Sequence, residues 1–126
     1  MLKVACYKLA EKPDHLIDFS VIIAKSNSKY VFVKHRQRDS LEIPGGHREN
    51  NESIEECARR ELYEETGATN YSIKPLFIYG VKKGEHSLED YGMVFFAEIF
   101  ERKAQLEYEI EKIFLFKKNP LIGLIH

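Results

Sequence analysis

Glutamates at positions 61, 64 and 65, with Arg60 before them and Gly67 after, have a spacing that carries chemical meaning. On an α-helix, residues three and four apart share a face, so Glu61, Glu64 and Glu65 fall within an arc of about 100°. Like charges at that spacing weaken an isolated helix by roughly 0.2–0.5 kcal/mol per pair. Most glutamate-rich runs are simply solvated helix faces, and a face of that kind gains nothing from the cluster. A divalent cation reverses the sign. Carboxylate oxygens are hard ligands that suit Mg2+ or Mn2+, and Mg2+ takes one or two of them while keeping waters and recruiting phosphate oxygens. The chemistry served by such ions is attack on a pyrophosphate bond, whose negative charge must be neutralised before water reaches phosphorus.

The solvated-face reading leaves the surroundings of the cluster unexplained. Pro44-Gly45-Gly46 lies just upstream, where glycine allows a close backbone approach, and Arg60 stands beside Glu61. From Gly46 to Ala68 the chain reads G-x5-E-x7-R-E-U-x-E-E-x-G-U, with U aliphatic: Gly46, Glu52, Arg60, Glu61, Leu62, Glu64, Glu65, Gly67 and Ala68. This stretch resembles the Nudix box, and the chain is similar to MutT-like members of the Nudix hydrolase family, nucleoside triphosphate pyrophosphohydrolases. The resemblance implies that Glu61, Glu64 and Glu65 are metal ligands together with the Gly46 carbonyl. It also implies that Arg60 orients the carboxylates and that Glu52 supports them or binds a further ion. A general base is either one of these glutamates or lies in the loop before the last strand, where Glu107 and Glu109 are the candidates.

Substrate contacts follow the same resemblance. An arginine near Lys34-His35-Arg36-Gln37-Arg38 contacts phosphate in MutT-like proteins, and Arg36 is the better positional match, with Arg38 second. The segment around Ile43 flanks the base pocket in those relatives, and His47 stands where lysine is frequent, so its charge toward phosphate would depend on pH. Ile43 replaces a frequent aromatic, leaving Tyr79, Phe95 or Phe96 as stacking candidates. The implied reaction is metal-dependent hydrolysis of a nucleoside triphosphate, with 8-oxo-dGTP among the candidates. ADP-ribose or another nucleoside diphosphate derivative is the alternative within the family, and a non-catalytic nucleotide sensor is the alternative of another class.

These residues need elements to hold them. Ser53-Ile54-Glu55-Glu56 has the form of a capping box, Ile54, Ala58 and Leu62 recur at helical spacing, and Gly67 suits a left-handed C-terminal residue. Cys57, at the edge of that stripe, reads as a small buried residue rather than a nucleophile. Strands are expected over 18–24, 30–34, 41–43, 71–82, 91–100 and 111–116, with an edge strand over 2–8. The segment 25–29 reads as a hairpin loop.

Strands on both sides of one strong helix make an α+β domain, and the resemblance implies an α/β/α sandwich around a mixed β-sheet. A single domain over 1–126 is expected from a length of 126 residues, with 44% hydrophobic and 12% aromatic residues to build its core. Only residues 117–126 remain after the last expected strand, so the C-terminal helix common in the family should be short or missing. The apolar segment 121–125 is expected to pack onto the sheet or into a homodimer.

With 19 basic against 20 acidic residues and a net charge of −1, no global field attracts a polyanion, so no nucleic-acid polymer is expected as partner. Cys6 and Cys57 support neither a disulfide framework nor a zinc ribbon, which points to a reducing cytoplasm. No secretory leader and no bilayer-length apolar run are visible, so no membrane partner is expected.

Overall fold

The computed structural model describes residues 2–37, 39–103 and 110–117. Arg38, Glu107, Glu109 and the segment 121–125 lie outside the described residues, as does any helix after the last strand. The element order is β1 (Lys3–Tyr7), β2 (Ile17–Ser26), β3 (Lys29–His35), β4 (Gly45–His47), α1 (Ile54–Thr66), β5 (Ala68–Lys82), β6 (Asp90–Arg102) and β7 (Ile110–Phe116). Short 3-10 turns at Leu9–Glu11 and Asp14–Leu16 connect β1 to β2.

The strands form one sheet in the order β1-β5-β6-β2-β3-β7, with β4 pairing β2 from the side. β2 and β6 run parallel and every other pairing is antiparallel, so the sheet is mixed as expected. The β2–β3 hairpin is tighter than its sequence suggests. Ser26 pairs with Lys29, leaving only Asn27 (φ 51) and Ser28 (φ 65) as the turn. Positive φ at both central residues gives the strands the twist that a two-residue hairpin needs.

α1 begins and ends where its local chemistry dictates. The Ser53 hydroxyl accepts from the Glu56 amide and the Glu56 carboxylate accepts from the Ser53 amide, while Gly67 closes the helix at φ 78. Its apolar stripe of Ile54, Cys57, Ala58 and Leu62 is buried against Ile22, Ala24, Ile78, Met93, Phe95 and Ala97 of the sheet. Burying a leucine of this kind stabilises by about 1.5–3 kcal/mol, enough to hold one helical face down and turn the opposite face outward.

One expected strand is misplaced. Residues 41–43 make only an isolated bridge, Val33 with Glu42, whereas the strand forms at Gly45–His47 against Phe19, Ser20 and Val21. Leu41 and Ile43 supplied β-like side chains, but Gly45 is what lets a backbone approach β2 this closely, since a Cβ there would overlap the Ser20 carbonyl. Among the described residues, no helix is long and apolar enough to cross a membrane.

Candidate active site

Arg60 organises the outward face of α1. Its Nε donates to Glu52 Oε2 at 2.6 Å and its Nη2 to Glu52 Oε1 at 3.0 Å, a two-pronged pairing. Its Nη1 donates to Glu61 Oε1 at 2.6 Å and to Glu64 Oε1 at 3.3 Å. Glu49 lies 3.4 Å from Nε, and Nη2 also donates to the His47 carbonyl at 3.0 Å. The guanidinium holds the Glu52 carboxyl below the usual carboxylate range, and Glu52 in turn holds Arg60 still more firmly protonated. Glu61 is pushed the other way, upward, because burial outweighs the help it receives from Arg60.

Four carboxylates, Glu49, Glu52, Glu61 and Glu64, thus share one guanidinium, which leaves three negative charges uncompensated within the cluster. Oε1 of Glu61 faces Arg60, while Oε2 faces Gly46 so closely that a Cβ there would overlap the carboxylate. Only glycine lets β4 and Glu61 meet. Cys57 is buried beneath, with Sγ 3.6 Å from the Gly46 carbonyl and 3.4 Å from Ser20 Oγ. Burial raises its thiol pKa, as befits a packing residue rather than a nucleophile.

Glu65 points elsewhere than its neighbours on the helix. Only 5% exposed, it accepts from the Gly45 amide at 2.8 Å through Oε1 and sits 3.0 Å from His35 Nε2 through Oε2. The structure therefore gathers Glu52, Arg60, Glu61, Glu64 and Gly46, while Glu65, expected among the metal ligands, has its two oxygens engaged by the Gly45 amide and His35. His35 and Glu49 are members of the site that sequence reasoning did not single out. Glu49 lies three residues before Glu52, and its amide is bonded to Glu52 Oε1 at 3.0 Å, the one local signal available.

A cavity of about 380 Å3 opens beside the cluster, lined by Phe19, Val21, Glu42, Ile43, Gly45, Gly46, His47, Val81, Lys83 and Asp90 among others. Ile43 and His47 line it, while Arg36 is exposed in the turn after β3 and is not part of the lining. The aromatic wall is Phe19, in edge contact with His47 at 5.9 Å and with Tyr79 at 5.3 Å. Burial pushes the Tyr79 hydroxyl up to about 12. Phe95 belongs to the core beneath α1 and Phe96 is absent from the lining, so of the aromatics raised as stacking candidates only Tyr79 approaches the cavity, through Phe19.

A family model described as the NUDIX domain matches residues 14–118. The chain belongs to the Nudix family. Its relatives include "Putative 8-oxo-dGTP diphosphatase YtkD" of Bacillus subtilis (strain 168), 35% identical over 100 residues, which is 79% of this chain and 61% of that one. The chain thus spans less than two thirds of that relative's length. Among solved structures it is similar to the Bacillus subtilis pyrophosphohydrolase BsRppH, with a TM-score of 0.77, 28% identity, and coverage of 94% of this chain and 73% of that one. The NUDIX domain of Shewanella oneidensis NrtR, solved with ADP ribose, shares the fold at a TM-score of 0.63 and 16% identity, with 93% and 83% covered.

Nudix hydrolases generally use divalent metals, and the residues present suit one. The cluster is rich in hard oxygen donors, carries surplus negative charge, and holds Glu61 in surroundings dry enough to penalise a bare carboxylate. Among the described residues, no three His, Cys, Asp or Glu side chains close into a cage for an ion.

Proposed function

We propose that this Nudix protein hydrolyses a phosphoanhydride bond of a nucleoside triphosphate, releasing the monophosphate and pyrophosphate, with Mg2+ or Mn2+ at Glu61, Glu64 and the Gly46 carbonyl. One observation carries the reading: the carboxylate surplus and the cavity meet at Gly46 and His47. Gly46 abuts Glu61 and lines the cavity, and His47 lines the cavity while its carbonyl accepts from Arg60. A base seated against Phe19 would deliver its phosphates to the glutamates.

Bound at that place, a divalent cation would neutralise phosphate oxygens and lower the pKa of the attacking water. The chain's own residues do the positioning. Arg60 spreads Glu52, Glu61 and Glu64 around one centre and keeps their repulsion from opening the loop. Glu65 acts through the Gly45 amide, fixing the turn that presents Gly46, and so supports the site from behind. The name of the Bacillus subtilis relative puts 8-oxo-dGTP first in a substrate panel with ordinary triphosphates and ADP-ribose.

Phosphate and pyrophosphate release from that panel, with Mg2+ and with chelator, tests the proposal. Metal-dependent pyrophosphate release, lost in Glu61→Gln and Glu64→Gln, is the expected result. Tight nucleotide binding with no turnover anywhere in the panel would overturn it in favour of a sensor.

A further inference from the structure

The segment between β1 and β2 lies outside the Nudix box, yet it is bonded to both ends of the loop that carries Glu49 and Glu52. Asp14 Oδ2 accepts from Arg48 Nη1 at 2.5 Å, and the Asp14 carbonyl accepts from Arg48 Nη2 at 2.5 Å. Its second carboxylate oxygen, Oδ1, accepts from the Ile54 amide at 3.2 Å. Ile54 opens α1, so one aspartate fastens Arg48, the residue after β4, and the first residue of the helix. A carboxylate at a helix N-terminus also suits the partial positive charge there.

Arg48 passes the restraint inward. Its side chain is only 14% exposed, its Nη1 also lies 3.5 Å from the Glu52 carbonyl, and its own amide is bonded to the Asp18 carbonyl at 2.7 Å. Within the loop, the Glu49 amide donates to Glu52 Oε1 and the Glu52 amide to the Glu49 carbonyl. The loop is therefore folded on itself and clamped at both ends. What it presents is Glu52, whose carboxylate fixes Arg60.

The same segment is tied down on its other side. Lys12 Nζ lies 4.7 Å from the centre of the Tyr7 ring and 4.9 Å from that of Tyr91, and both hydroxyls donate to Glu89, at 2.7 and 2.9 Å. An ammonium over two ring faces and a carboxylate taking both hydroxyls make a firm anchor on β1 and β6. A brace held by the sheet at one end and gripping the loop at the other holds that loop to the frame of the sheet.

We propose that Asp14 is a positioning residue for the glutamate cluster, acting through Arg48 and the Ile54 amide to hold Glu52 against Arg60. This rests on the hydrolase reading only for its activity readout. If Asp14 acts this way, its loss loosens metal use more than nucleotide binding, because Phe19, Val21, Val81 and Asp90 of the cavity wall stand on β2, β5 and β6.

The test compares wild type with Asp14→Ala, Asp14→Asn, Asp14→Glu, Arg48→Met and the Asp14→Ala/Arg48→Met double variant, all in the full chain. The Mg2+ concentration for half-maximal pyrophosphate release is expected to rise about 10-fold in Asp14→Ala, within the range seen when groups supporting metal ligands are removed. The nucleotide KM at saturating Mg2+ stays within about twofold, Asp14→Glu restores most of the loss, and the double variant is no worse than either single one. Amide hydrogen exchange over 49–54 in the metal-free protein supplies a readout independent of turnover, with faster exchange expected in Asp14→Ala. Asp14→Asn, which keeps an acceptor for Ile54, should fold even where Asp14→Ala does not, and should lose part of the Mg2+ response. An unchanged Mg2+ response together with unchanged exchange in folded Asp14→Ala, or additive losses in the double variant, would overturn the brace. Absence of turnover in wild type would sink the hydrolase reading alone, and the exchange result would still decide the role of Asp14.

Discussion

His35 and Glu65 are paired at 3.0 Å, joining the end of β3 to the last turn of α1 with both side chains largely buried. Glu65 completes the link to β4 through the Gly45 amide. Three elements distant in sequence are thus tied by one carboxylate, and a buried polar group that loses a partner is expensive. His35→Leu is expected to lower stability by about 1–3 kcal/mol in urea unfolding. An unchanged midpoint would show that the pair contributes nothing.

Arg60→Lys keeps the charge but not the fork. A lysine ammonium cannot grip Glu52 through two parallel bonds while also reaching Glu61 and the His47 carbonyl. The expected outcome is a fall in turnover of about 10–100-fold with the fold retained, read from initial rates and circular dichroism. Full activity in Arg60→Lys would mean that charge alone suffices.

Burial raises the Glu61 pKa, so its carboxylate opposes folding of the metal-free protein at neutral pH. Glu61→Gln removes that charge and should raise the melting temperature in chelator. Added Mg2+ should stabilise wild type and leave the variant unmoved. Equal metal-induced shifts in both proteins would place the ion elsewhere.

Tyr7 and Glu89 predict a stability plateau with two edges. The Tyr7 hydroxyl, donating to Glu89, is pushed up to about 12, and Glu89 is held below the usual carboxylate range by the same bond. For Tyr7 the raised value means a contribution present below its ordinary value near 10 and lost as pH climbs through about 12. For Glu89 the depressed value means a contribution present above the ordinary carboxylate range and lost as pH falls through its folded value. The stability difference between wild type and Tyr7→Phe should therefore be flat in between and shrink at both extremes. Thermal melts across pH read it directly, and a difference that grows toward acid would contradict the assignment.

Phe19 is the aromatic wall of the cavity. Phe19→Ala should raise the nucleotide KM by about tenfold, in line with roughly 1–3 kcal/mol for a stacked base, while kcat at saturating nucleotide changes little. A fall in kcat with KM unmoved would place the base elsewhere.

Helix α1 was legible almost to the residue, because Ser53, Glu56 and Gly67 act within four residues of the ends they define. Ile54, Ala58 and Leu62 likewise announced the buried side. Strand β4 was not legible. Its β-forming power lies in the bareness of Gly45 and Gly46, which counts only once Ser20 of β2 lies against the first and Glu61 of α1 against the second. Phe19 and Asp14 carried no local sign either, since their partners are His47 and Tyr79 in one case and Arg48 and Ile54 in the other.

Sequence alone determined the acidic helix and its register, since 3.6-residue periodicity and capping are local and survive without a fold, and the resemblance of Gly46 to Ala68 to the Nudix box already pointed to the family. Only the tertiary structure decided how the three helical carboxylates are partnered. Glu61 and Glu64 stay with Arg60, and Glu65 turns to Gly45 and His35. The reason is that a side chain's partner depends on which backbone is packed against it, and that is set by sheet pairing over long separations rather than by the residues beside it.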